Sequence, residues 1–219
     1  NGNDVMTLRD GASIAGTGVD VGAGTDQLVI DNANPYVFSG AGVGGFEQLT
    51  KQNGGVLTLT GAQAYSAGTT VNGGTLDVDG SLTTPTLALA DNTLLNVDGP
   101  VQAAGAAPTL LVGSSGANAI QVNSGGILRA NGSLGLGNDT VTLAGTLDTG
   151  GSVVDLSGGN DVLTLRDGAT ITGAGVDGGT GLNQLVLDNA GALTFNGSQT
   201  AGFTSLLKQN TGTASMTGT

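Results

Sequence analysis

Asn3-Asp4-Val5-Met6-Thr7-Leu8-Arg9-Asp10-Gly11-Ala12 returns 157 residues later as Asn160-Asp161-Val162-Leu163-Thr164-Leu165-Arg166-Asp167-Gly168-Ala169. The offset holds without a gap through Gln27-Leu28-Val29 and Gln184-Leu185-Val186, Phe38 and Phe195, Phe46 and Phe203, and Lys51-Gln52-Asn53 and Lys208-Gln209-Asn210. Identity at 33 of the 59 positions aligning 3–61 with 160–218 marks a super-repeat. A shorter step lies inside it. Asp4 and Asp26, Asp139 and Asp161, and Asp161 and Asn183 are three equally spaced pairs. Their common step, in the low twenties, belongs to solenoids, so the expected unit is one coil of about 22 residues. Ten such coils would fill the chain, and 157 would be close to seven of them.

Each coil carries short strand signals. Val5-Met6-Thr7-Leu8, Val56-Leu57-Thr58-Leu59, Thr75-Leu76-Asp77-Val78 and Thr140-Val141-Thr142-Leu143 alternate apolar with polar residues, the period-2 pattern of a strand with one wet face. Asn72-Gly73, Asp79-Gly80, Asp98-Gly99 and Asn131-Gly132 supply turns between them. Such short strands cannot bury a face alone, but stacking coil on coil pairs each with its equivalent and lines up the inward Leu, Val and Ile. The expected fold is all-β, a parallel β-helix running as one solenoid over 1–219, right-handed by the general preference of parallel crossovers. Phe38, Phe46, Phe195 and Phe203 are expected to pack in its core. Asn34 to Phe46 and Thr83 to Asn118 are less regular and are expected to project as loops.

Composition narrows the chemistry. With no Cys and no His there is no thiolate nucleophile, imidazole base or disulfide, and zinc sites built from those ligands are excluded. A net charge of −12 repels phosphates, so nucleic acid and anionic lipid are not expected partners. No stretch has the run of about 20 apolar residues that a membrane helix needs, so this segment is not expected to insert directly.

Asp4, Asp139 and Asp161 sit in Gly-Asn-Asp contexts and Asp26 in Gly24-Thr25-Asp26, which share pieces of the calcium-binding nonapeptide and make them candidate calcium ligands. The long period, in place of a step of nine, favours Asx turns that start each strand. Arg9-Asp10, Arg166-Asp167, Lys51 and Lys208 read as solvated decoration at coil edges. Asp155, Asp161, Asp177 and Asp188 are the carboxylates available to a hydrolase. They follow the repeat instead of breaking it, so no catalytic residue, no cofactor and no enzyme activity is expected.

Gly55-Val56-Leu57-Thr58-Leu59-Thr60-Gly61-Ala62-Gln63-Ala64-Tyr65-Ser66-Ala67-Gly68-Thr69-Thr70-Val71-Asn72-Gly73-Gly74-Thr75-Leu76-Asp77-Val78 resembles the passenger-associated repeat of bacterial autotransporters. It departs from the family pattern at Ala64 and Ala67, where Thr and Gly are usual. The resemblance implies a right-handed β-helical passenger displayed on the cell surface or outside the cell from the outer membrane, and the chain reads as a fragment of a longer passenger. On that basis the expected function is an adhesin or self-association module, with another copy, a host glycan or a matrix protein as partner. A stalk presenting another domain is the alternative, ahead of a polysaccharide-degrading enzyme or a calcium-binding repeat protein.

Overall fold

The computed structural model describes residues 2–14 and 18–218. Residues 1, 15–17 and 219, which fall within the spans assigned above to the solenoid and its super-repeat, lie outside the described residues. Every strand pair is parallel, and each strand bonds to its equivalent one coil away. The chain is a parallel β-solenoid of about ten turns and about 21 residues per turn.

Three walls make up the prism. The first begins with Val5–Arg9, Gln27–Asp31, Gln48–Gln52, Gly68–Val71 and Thr86–Leu89. The second runs from Tyr36–Phe38 through Val56–Leu59, Thr75–Val78, Thr93–Val97 and Asn118–Val122 to Ser205–Gln209. The third includes Ala62–Ala64, Ser81–Thr83, Pro100–Gln102 and Thr146–Asp148. Ile127–Gly135 is long enough to turn a corner, pairing with third-wall strands at one end and first-wall strands at the other.

The core consists of inward rows. On the second wall Leu57, Leu76, Leu95, Ile120, Val141 and Leu163 stack in register, each almost wholly buried. A coil rises about 4.8 Å, so each side chain meets its counterparts above and below. Phe38, Phe46 and Phe195 are buried in the same core, whereas Phe203, expected there too, is only half-buried against it.

Three expectations need correction. First, the super-repeat offset is not a whole number of coils. Following the register, seven coils carry Val5 to Val153, whereas its duplicate is Val162. The second copy therefore overshoots by nine positions and lands one wall further round. Val5–Arg9 lies on the first wall, whereas its duplicate Val162–Arg166 lies on the second. Second, Thr83 to Asn118 does not project. It contains Thr86–Leu89, Thr93–Val97, Pro100–Gln102 and Thr109–Ser114, all in the walls, and only a short turn around Ala104–Ala106 lengthens the coil. Third, Lys51 is not solvated decoration.

Alternation puts Lys51 in the inward row Leu8, Ile30, Lys51, Val71, Leu89, where it is fully buried. Its ammonium donates to the carbonyls of Gln52 and Asn53 at 3.1 and 2.7 Å. Asn53, at φ 63°, bends the chain so that its carbonyl faces inward. Burial pulls the Lys51 pKa down to about 8, against the opposing pull of Asp31 and Asp10. Lys208 repeats the arrangement, donating to the carbonyls of Asn189, Gln209 and Asn210 from the exposed final coil.

Candidate functional site

The four candidate calcium ligands occupy two different corners. Asp4 and Asp26 lie at the entry to the first wall, where the backbone N–H of Asp4 donates to Asp26 Oδ1 at 2.6 Å and that of Asp26 to Glu47 Oε2 at 2.8 Å. Asp139 and Asp161 lie at the entry to the second wall between Asn118 and Asn183. Here Asn118 N–H donates to Asp139 Oδ1, Asp139 N–H to Asp161 Oδ1 and Asp161 N–H to Asn183 Oδ1, at 2.6 to 2.9 Å. Each side-chain oxygen thus replaces a ladder bond at the corner, where the strands have not yet begun to pair. Asn fills the row as well as Asp because the bond needs only an oxygen.

The second oxygens of Asp26, Asp139 and Asp161 are buried without a hydrogen-bond partner. Burial is the main reason the Asp139 pKa is pushed up to about 6. The Asp161 carboxyl is raised for the same reason, with Asp155 adding repulsion.

The duplicated charged residues form one recurring corner. Arg9 pairs with Asp31 at 3.2 Å, and Asn53 donates to the same carboxylate. Arg166, Asp188 and Asn210 repeat this set. Asp10 accepts from the backbone of Ala33 and Asn34 and from the Asn34 amide, and these bonds hold its carboxyl below the usual range. Asp167 accepts from the backbone N–H groups of Ala190 and Gly191. Of the carboxylates available to a hydrolase, Asp155 and Asp177 are register neighbours, Asp161 is buried in the corner row and Asp188 is paired with Arg166.

The arrangement best suited to contact lies on the outside of the second wall. Thr58, Asp77, Asn96, Gln121, Thr142 and Thr164 form one outward row across six coils, every member polar. Asn96 Nδ2 donates to Asp77 Oδ1 at 2.6 Å and to Asp98 Oδ2 at 3.0 Å, and Asn123 Nδ2 donates to Asn96 Oδ1 at 2.9 Å and to Asp98. Beside this row the stacking brings Asp77, Asp79 and Asp98 together, with carboxylate oxygens within 4.8 Å of one another. Partial desolvation and the charges of Asp77 and Asp98 raise the Asp79 carboxyl pKa. This grouping escapes a sequence reading because it requires the register; its trace is the pair Asp79-Gly80 returning as Asp98-Gly99.

Residues 49–78 match the family model of the passenger-associated-transport-repeat. With the solenoid, this makes the chain fit an autotransporter passenger repeat domain. The matched segment starts at Leu49, six positions before the stretch whose turns carry the resemblance, and spans the coil holding Lys51 and the first polar rungs of the second wall. No curated protein and no solved structure matches the chain. The matched repeat family implies surface or secreted display, and a solenoid carrying such a repeat is consistent with a structural, non-enzymatic role.

Proposed function

We propose that this passenger repeat domain is a contact module of the bacterial surface, an adhesin that also associates with copies of itself. The observation that carries the reading is the six-coil polar row from Thr58 to Thr164. The donors and acceptors not used within the row each offer one weak hydrogen bond, and a rigid ladder presents them at a fixed spacing of about 4.8 Å. A partner that engages several at once gains through avidity. Another solenoid has the same coil spacing, so a second copy can match the row rung for rung. The −12 charge opposes such pairing until salt screens it or acid neutralises the carboxylates.

The test is cell aggregation with the full passenger displayed, compared with display of the passenger lacking residues 1–219. Aggregation should fall on deletion and rise with salt and at low pH. A deletion without effect on aggregation, together with loss of an activity carried elsewhere in the passenger, would favour the stalk.

A further inference from the structure

Between Phe38 and Phe46 the chain leaves the wall and arches over the start of the third wall, bordering a partly open cavity of about 280 Å³. Its walls include Phe38, Gly40, Phe46, Gln63 and Tyr65. Gln63 is out of place by its row. The inward positions in register with it are Leu82, Val101, Leu128, Leu147 and Ile171, all apolar. Gln63 is nonetheless only 6% exposed. Its Oε1 accepts the Tyr65 hydroxyl at 3.2 Å, while its Nε2 is buried with no acceptor. Gly40, at φ 74°, makes room for the amide, since a Cβ there would lie 2.6 Å from Nε2. A buried amide held by a tyrosine and left with two free N–H groups has the form of a recognition group.

The super-repeat supplies a comparison. Leu185, Phe195, Gly197, Thr200 and Phe203, the counterparts of Leu28, Phe38, Gly40, Val43 and Phe46, line a second cavity of about 290 Å³. The Phe-framed hollow is thus part of the duplicated architecture.

We propose that the cavity at Gln63 binds one neutral sugar residue. At about 30 Å³ per water it has room for roughly nine waters, enough for the dozen heavy atoms of a hexose. Gln63 Nε2 donates to a ring, hydroxyl or acetamido oxygen, and the apolar edges of Phe38 and Phe46 meet a C–H face or a methyl. Ala62–Ala64 is the free edge of the third wall, so its outward backbone groups add further polar partners. The absence of a cation among the lining residues and the −12 charge select against anionic sugars.

The site lies away from the polar row on the second wall, so its test is independent of aggregation. Saturation-transfer NMR on the full chain uses glucose, galactose, mannose and N-acetylglucosamine as probes. At least one should give transfer, and Gln63→Leu, which restores the apolar row, should weaken its binding at least tenfold. The melting temperature of Gln63→Leu should match or exceed that of the parent, which separates lost binding from lost folding. Absence of transfer from all four probes, or equal transfer to parent and Gln63→Leu, overturns the proposal. Binding lost in Gln63→Leu with aggregation unchanged supports this site and assigns aggregation elsewhere.

Discussion

Replacing Asp139 by Asn should make the solenoid more stable at neutral pH and leave it unchanged in acid. Asp139 uses one oxygen to accept the Asn118 N–H and buries the other without a partner. Asn keeps the acceptor and removes the charge, as Asn183 already does in the same row. The carboxyl titrates near 6 in the fold and near 3.8 in the unfolded chain. Between those values the folded state holds more protons, so stability falls as pH rises from about 4 to about 6 and stays lower above it. The full difference is about 3 kcal/mol, and solvent screening along the corner brings it to about 1–2 kcal/mol. Urea unfolding of parent and Asp139→Asn at pH 4, 6 and 8 measures it. The two curves should coincide at pH 4 and separate by that amount at pH 8. A variant no more stable than the parent at pH 8 would refute the reasoning.

Lys51→Met should stabilise the fold by about 1–2 kcal/mol at pH 7, because the row Leu8, Ile30, Val71, Leu89 accepts an apolar side chain and the carbonyls released belong to exposed residues. Since the Lys51 pKa is lowered, the parent alone should gain stability as pH rises from about 8 to 10.5, readable in thermal melts across that range. Gly99→Ala should cost about 2–4 kcal/mol, because a Cβ there would run into the Gly80 carbonyl one coil away, whereas Gly54→Ala, with nothing nearby, should stay within about 0.5 kcal/mol in the same melts. Amide hydrogen exchange should be fastest in Ser205–Gln209 and Ala214–Thr217, which are exposed along their whole length, and slowest in Thr75–Val78 and Thr93–Val97.

Much of the architecture was readable from alternation. Val56-Leu57-Thr58-Leu59 and Thr75-Leu76-Asp77-Val78 place Leu57, Leu59, Leu76 and Val78 inward and Thr58 and Asp77 outward, as the walls have them. The same parity puts Lys51 inward beside Leu49, but a lysine in a core row conflicts with the cost of burying a charge. The conflict is resolved only by the Asn53 turn, which brings carbonyls within reach. Coil length also varies. The coil from Gly68 to Thr86 is short and the next, from Thr86 to Leu110, is much longer, so an average period cannot supply the register. Without register neither the Asp77, Asp79 and Asp98 group nor the row that makes Gln63 anomalous can be seen. The turn around Ala104–Ala106 absorbs the added length locally, which is why a segment that looked irregular is mostly wall.

The overshoot of the super-repeat has a geometric consequence for anything that touches the rod. Had the duplicated unit been a whole number of coils, its charged corners would share one compass heading, and a flat surface alongside could grip both. Instead Arg9, Asp31 and Asn53 point outward from one wall and Arg166, Asp188 and Asn210 from the next. A single flat partner meets one copy, while two partners approaching from different bearings meet the same chemistry. The duplication thus turns one set of charges to two bearings around the solenoid axis.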